Sequence, residues 1–97
     1  MRSVISRNGV RIRLTDERWD HIAERHPILE DRVDDVVATL SDPDLILRGN
    51  DDEFLAVRRE DDLYLVVVYR ETSPVDGFII TSYLTNQPVD RPVLWKR

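Results

Sequence analysis

The sequence predicts an α+β fold: two N-terminal helices packed on one face of a four- to five-stranded antiparallel meander sheet. Three observations carry this. Apolar residues recur at helical spacing between Asp16 and Leu40. After Pro43 the period drops to two. The segments with that shorter period are joined by short polar connections, as in a meander.

The elements follow in order. Residues 9–14, Gly-Val-Arg-Ile-Arg-Leu, alternate like a half-buried strand. Thr15 has the side chain of an N-cap, and Asp16 and Glu17 sit in the first turn, where the helix dipole favours acids. The first helix is expected over Asp16–His26, because Pro27 disfavours a helical residue before it. The second is expected over Leu29–Leu40, with Leu29, Val33, Val36, Val37 and Leu40 on one face. Ser41-Asp42-Pro43 stops it. Strands are expected at Asp44–Arg48, Glu53–Arg59, Leu63–Arg70 and Phe78–Thr85, with a short edge strand at Val93–Arg97. Leu63–Arg70 is nearly all apolar and takes the centre. Residues 86–92 hold two prolines and are not regular. In Phe78–Thr85, the set Phe78, Ile80, Ser82 and Leu84 should face the helices, leaving Ile79, Thr81, Tyr83 and Thr85 on the outer face.

Composition narrows the function classes. At 97 residues the chain is one domain's length, residues 1–97, and 41% apolar with 34% charged residues is globular rather than disordered. No run of about 18 apolar residues could span a membrane, and residues 1–15 lack the apolar core of a secretion signal. Cysteine is absent, which removes disulfides, thiolate metal sites and cysteine nucleophiles. These features point to a cytoplasmic protein. The net charge of −5 opposes avid nucleic-acid binding, but it is unevenly spread. Residues 1–15 carry +4, residues 16–62 carry −10 and residues 63–97 carry +1. The acid belongs to the helical half and its following loops.

Two constellations could carry chemistry. On the first helix, Arg18, His21 and Arg25 share a face at spacings of three and four. Guanidiniums there could hold phosphate oxygens while an imidazole moves a proton. The same pattern also describes an ordinary solvated helix face. His26, before Pro27, is either a cap for the last carbonyls or a group pointing into a cleft. On the strands, Tyr83 offers stacking for a base, and Thr81 and Thr85 offer donors to a phosphate. Thr and Tyr are equally plain strand formers. Of Arg58 and Arg59 only one can share the threonine face. Arg70 ends the central strand, at a cleft mouth or in a salt bridge with Glu71 or Glu53, and Lys96 could reach a phosphate from the tail. No glycine-rich phosphate loop or nucleophile elbow is present, and His21 and His26 are five apart, not the four that places two zinc ligands on one helix face. Neither a metal nor a cofactor is implied.

Four blocks carry a resemblance: LTDERWDHIAERHPIL (Leu14–Leu29), VVVYRE (Val66–Glu71), DGFIITSYLTNQP (Asp76–Pro88) and LWKR (Leu94–Arg97). Together they resemble small bacterial and phage proteins of the barnase–EndoU–colicin–RelE superfamily of nuclease folds, over roughly residues 10–97. The resemblance implies metal-independent RNA cleavage by attack of the 2′-hydroxyl on the adjacent phosphate. Its helix-one positions map onto His21 and Arg25, with His26 beside them, and its strand positions onto Thr81, Tyr83 and Thr85. This makes His21 or His26 the proton carrier. Joined to the reading of the residues themselves, it makes Arg25 and Arg70 the phosphate clamps, with Arg18 and Lys96 beside the strand row at the substrate. An RNA substrate and an antitoxin partner follow from it. The acidity of this chain departs from the usually basic toxins of that fold. The alternative is a catalytically inactive protein-binding module of the same fold. The apolar central strand and an open edge also leave room for a homodimer.

Overall fold

The structure, a computed structural model, describes residues 1–97. It corrects the expected architecture: the sheet has seven strands and is mixed, not a four- to five-stranded antiparallel meander. In chain order the elements are β1 (Arg2–Ile5), β2 (Arg11–Leu14), α1 (Asp16–Arg25), a 3-10 turn (Pro27–Leu29), α2 (Val33–Ser41), β3 (Leu45–Arg48), β4 (Phe54–Glu60), β5 (Leu63–Glu71), β6 (Asp76–Thr85) and β7 (Val93–Lys96). Their order across the sheet is β1-β2-β6-β5-β4-β3-β7. The meander β3 to β6 is antiparallel as expected. The difference lies at its flanks. The N-terminal hairpin joins through a parallel pairing of β2 with β6, and β7 returns to pair with β3 at the far edge.

Local chemistry explains the helices. The Thr15 hydroxyl accepts from the Arg18 N–H and caps α1. α1 ends because His26 leaves helical geometry ahead of Pro27, at φ −131° and ψ 74°. The second helix starts at Val33 rather than Leu29, because Pro27 opens a separate 3-10 turn. Leu29 is buried from that turn and joins Val36, Leu40 and Ile22 in the main core. Arg32, between the turn and α2, holds both Asp35 and Glu60 and so ties the helix start to the end of β4. Arg58 donates to the carbonyls of Ala38 and Asp42 and satisfies the helix end.

The core lies on the inner, helix-bearing face of the sheet. There Leu65, Val67, Tyr69, Ala56, Ile79 and Ile12 meet the helical residues. The sheet curls enough for α2 to touch β1 as well as β4 and β5. The curl also brings the tip of the β1–β2 hairpin over β7, where the Arg7 guanidinium lies 4.1 Å from the centre of the Trp95 ring. At the same tip, Ser6 and Asn8 on either side of Arg7 donate to the Glu71 carboxylate.

The outer face has its own smaller cluster of Leu47, Leu55, Val57 and Val66. Residues 86–92 cover it. They leave β6 at Thr85 and reach β7 at Val93 on the far edge and opposite end, so they form a strap running diagonally over this face. Val89 packs from the strap onto the cluster. The strap is anchored by Arg91, whose Nε donates to the Arg48 carbonyl, and by the Arg48 N–H, which donates to the Pro92 carbonyl. No helix is long and apolar enough to cross a membrane.

Candidate functional site

The register of β6 decides which side chains meet on the outer face, and it differs from strict alternation. Val68 pairs with Thr81 and Tyr69 with Ile79, so Ile80 is an extra residue in β6. The bulge shifts everything before it by one. Ile79 therefore joins Ser82 and Leu84 on the inner side, and Phe78 faces outward and is 38% exposed. This corrects the expectation that Phe78 and Ile80 face the helices with Ile79 outside. Beyond the bulge Thr81, Tyr83 and Thr85 share the outer face as expected, opposite Val68, Val66 and Tyr64. Ser82, buried among apolar neighbours, is satisfied by donating to the Val66 carbonyl.

α1 packs beside β6 and delivers His26 to it. The His26 imidazole lies beside the Tyr83 ring, with centroids 6.3 Å apart and planes inclined at 37°. His26 caps α1 only through its backbone, whose N–H donates to the Ile22 carbonyl. Its ring nitrogens make no hydrogen bond within the protein and are free for a ligand. Tyr83 is half-buried, and that burial pushes its phenol above the ordinary tyrosine range, so it stays protonated at neutral pH. A neutral phenol can donate to a phosphate oxygen.

The remaining predicted residues divide. His21, Arg18 and Arg25 are exposed on α1. Arg18 and His21 border an open depression that also holds Glu17, Asp20 and Glu24. Three carboxylates against one guanidinium and one imidazole repel a phosphate, so this face suits solvent better than RNA. Arg25 sits in the last turn of α1, next to His26, without an acidic partner. Thr81 lies two residues from Tyr83 on the same face, and the Thr85 hydroxyl accepts from the Gln87 N–H. Arg70 is already engaged. Its guanidinium donates to the Asp51 carbonyl and faces the Asp51 carboxylate at 3.6 Å, while its Nε is buried without a partner. It pairs four residues along β5 from the position opposite Tyr83, about 13 Å away by strand rise. Arg70 is thus a brace for the β3–β4 turn, and Asp51 rather than Glu53 or Glu71 is its partner. Lys96 stands four strands from Tyr83, about 19 Å by strand spacing, and does not belong with His26.

Sequence reasoning left Arg58 and Arg59 undivided. The register places Arg59 outward, opposite Tyr64 and in line with Thr85, while Arg58 turns inward to the end of α2. No set of three or more His, Asp or Glu side chains converges as a metal site would require. No protein-family model matches this chain, and no curated protein or solved structure matches it.

Proposed function

We propose that this chain is an endoribonuclease of the toxin kind, acting on cytoplasmic RNA, with its reaction centre at His26 and Tyr83. The observation that carries the reading is the placement of an imidazole with no hydrogen bond inside the protein against a protonated phenol on an outer sheet face, beside Thr81. The resemblance to nuclease-fold proteins supports the same reaction. In it, His26 takes the proton of a ribose 2′-hydroxyl and the 2′-oxygen attacks the adjacent phosphorus. The bond from phosphorus to the 5′-oxygen breaks, and that oxygen takes a proton from the Tyr83 phenol or from water. The products are a 2′,3′-cyclic phosphate and a 5′-hydroxyl. Arg25 and Thr81 supply the charge and the donor that a phosphorane needs.

His21 has no such neighbourhood, which favours His26 of the two. The test is cleavage of a fluorescent RNA by the purified protein, by His26→Ala and by His21→Ala. His26→Ala should lose at least about a hundredfold in rate, the lower end for removing a general base, and His21→Ala should stay within a few-fold. Equal cleavage by His26→Ala and the unmodified protein would overturn the assignment.

A protein-binding role has one observation of its own. β1 and β7 are both open sheet edges, and Ile5, Val93 and Leu94 on them are exposed. An antitoxin segment adding a strand there would use these edges without touching His26.

A further inference from the structure

Across the strap from His26 lies a second feature that the cleavage chemistry does not use. Following the strap from Thr85 to Val93 leaves Thr81 and Tyr83 on one side and Tyr64, Arg59 and Lys96 on the other. On that other side is a groove of about 500 Å³ with Leu45 and Val57 as its apolar floor. Tyr64, half-buried, forms an aromatic wall, and Arg59 and Lys96 are exposed at its rim.

The charge state of the groove is what makes it informative. Eight of the chain's fourteen cations are occupied: Arg2, Arg13, Arg32, Arg70 and Arg97 are in ion pairs, Arg58 and Arg91 donate to backbone carbonyls and Arg7 rests on Trp95. The side chains of Arg59 and Lys96 have no protein partner. The groove's one carboxylate, Asp44, is itself neutralised in place. It accepts from the Arg59 backbone N–H at 2.8 Å and from the Arg97 Nε at 3.2 Å, while Arg97 also holds Asp42. Two free cations beside an aromatic wall are what a nucleic-acid strand needs: phosphates against the charges and a base on the ring. The position also fits. Tyr64 stands opposite Thr85, one diagonal cross-strand step of about 7–8 Å from Tyr83, so a strand held at His26 reaches it with a neighbouring nucleotide.

We propose that the groove of Arg59, Tyr64 and Lys96 is a binding track for single-stranded RNA flanking the cleaved phosphate. This rests on the ribonuclease reading for its purpose, but binding can be measured apart from cleavage. The probe is a fluorescein-labelled 2′-O-methyl RNA decamer, which lacks the attacking hydroxyl. Its binding is followed by anisotropy between about 50 and 200 mM salt, with the unmodified protein, Arg59→Ala/Lys96→Ala and His21→Ala. Both groove residues are exposed, and thermal melts check that the double variant is folded. Arg59→Ala/Lys96→Ala should bind about tenfold more weakly and flatten the slope of log affinity against log salt by about 1.4, the effect of two lost phosphate contacts on a single strand. His21→Ala, on the acidic outer side of α1, should bind within about twofold of the unmodified protein.

Unchanged affinity and slope in the double variant would overturn the track, even if unmodified RNA is still cut in a His26-dependent way. Groove-dependent binding without any cleavage would uphold the track and remove the nuclease reading. No binding by the unmodified protein would remove both. Displacement of the decamer by poly-glutamate at equal charge concentration would mean that the groove takes acidic protein, and would also overturn the proposal.

Discussion

Tyr69 offers a measurable consequence of the core's one unbalanced polar group. Its side chain is 0% exposed and packs against Phe54 with ring centroids 5.4 Å apart, yet its hydroxyl has no hydrogen-bond partner. A buried hydroxyl without a partner costs about 1–3 kcal/mol by the measure of protein substitutions. Tyr69→Phe removes that oxygen and keeps the ring, so it should stabilise the fold by about 1 kcal/mol. For a domain of this length that raises Tm by about 4–8 °C. Thermal and urea unfolding at pH 7 would measure it. The titration of the same group gives an independent arm. Burial, assisted by the Glu71 carboxylate, pushes the Tyr69 phenol far above the ordinary tyrosine range. A raised folded-state pKa means that the unfolded chain releases its proton first, near pH 10. This contribution to stability is whole below pH 10 and falls by about 1.4 kcal/mol per pH unit above it. Tyr69→Phe escapes the loss, so its advantage should widen between pH 10 and 11. A variant less stable than the parent by about 1 kcal/mol at pH 7 would refute the reasoning, since it would mean that the hydroxyl makes a favourable bond through water.

Two further outcomes test the junction between the N-terminal hairpin and the meander. A Cβ on Gly77 would run into the Arg70 carbonyl and come within 2.7 Å of Ile12 Cδ1, with backbone on one side and core on the other. Gly77→Ala should therefore lose about 3 kcal/mol or more in urea unfolding, and a loss below about 0.5 kcal/mol would mean that β2 and β6 are not packed this closely. Beside it, Arg13 donates through Nε and Nη2 to Asp76 at 2.9 and 2.8 Å, which holds the Asp76 carboxyl below the usual carboxylate range. A lowered folded-state pKa stabilises above the unfolded value, near 3.9, and that gain disappears as pH falls through the folded one. Asp76→Asn should melt lower than the parent at pH 7, with the gap closing toward pH 2–3; a gap independent of pH would assign the effect to shape rather than charge.

Local signals in the sequence place α1, because Thr15, Asp16-Glu17 and Pro27 each act within a turn of the residue they mark. They also place the meander strands β3 to β6, whose two-residue period is carried by adjacent residues. What they miss depends on distant partners. Arg2–Ile5 has only Val4 and Ile5 as apolar residues and becomes a strand through the hairpin closed by Gly9, at φ 80°, and the pairing with β2. The parallel contact of β2 with β6 joins Arg11 to Asp76, which no local pattern encodes. The bulge at Ile80 is invisible because Phe78, Ile79 and Ile80 are all apolar, so either facing reads equally well. The site follows the same division. Thr81, Tyr83 and Thr85 are legible as one row. The pairing of Tyr83 with His26, the bond of Arg70 to Asp51 and the outward turn of Arg59 each need the tertiary fold.

The contact of Arg7 with Trp95 bears on how the chain reaches this state. It joins the turn after the first strand to the last strand, so its loop encloses nearly every other element. Loop-closure entropy must be met before such a contact gives anything back. The helices and the β4–β5 hairpin, closed by the tight Glu60–Leu63 turn, can order early from neighbouring residues. The N-terminal hairpin and β7 can latch only afterwards, and until β7 pairs, Ile46 and Leu47 on β3 lie along an unpaired edge. During synthesis that interval lasts until Trp95 has left the ribosome, which makes the late stage the time when this sheet is most open to pairing with another chain.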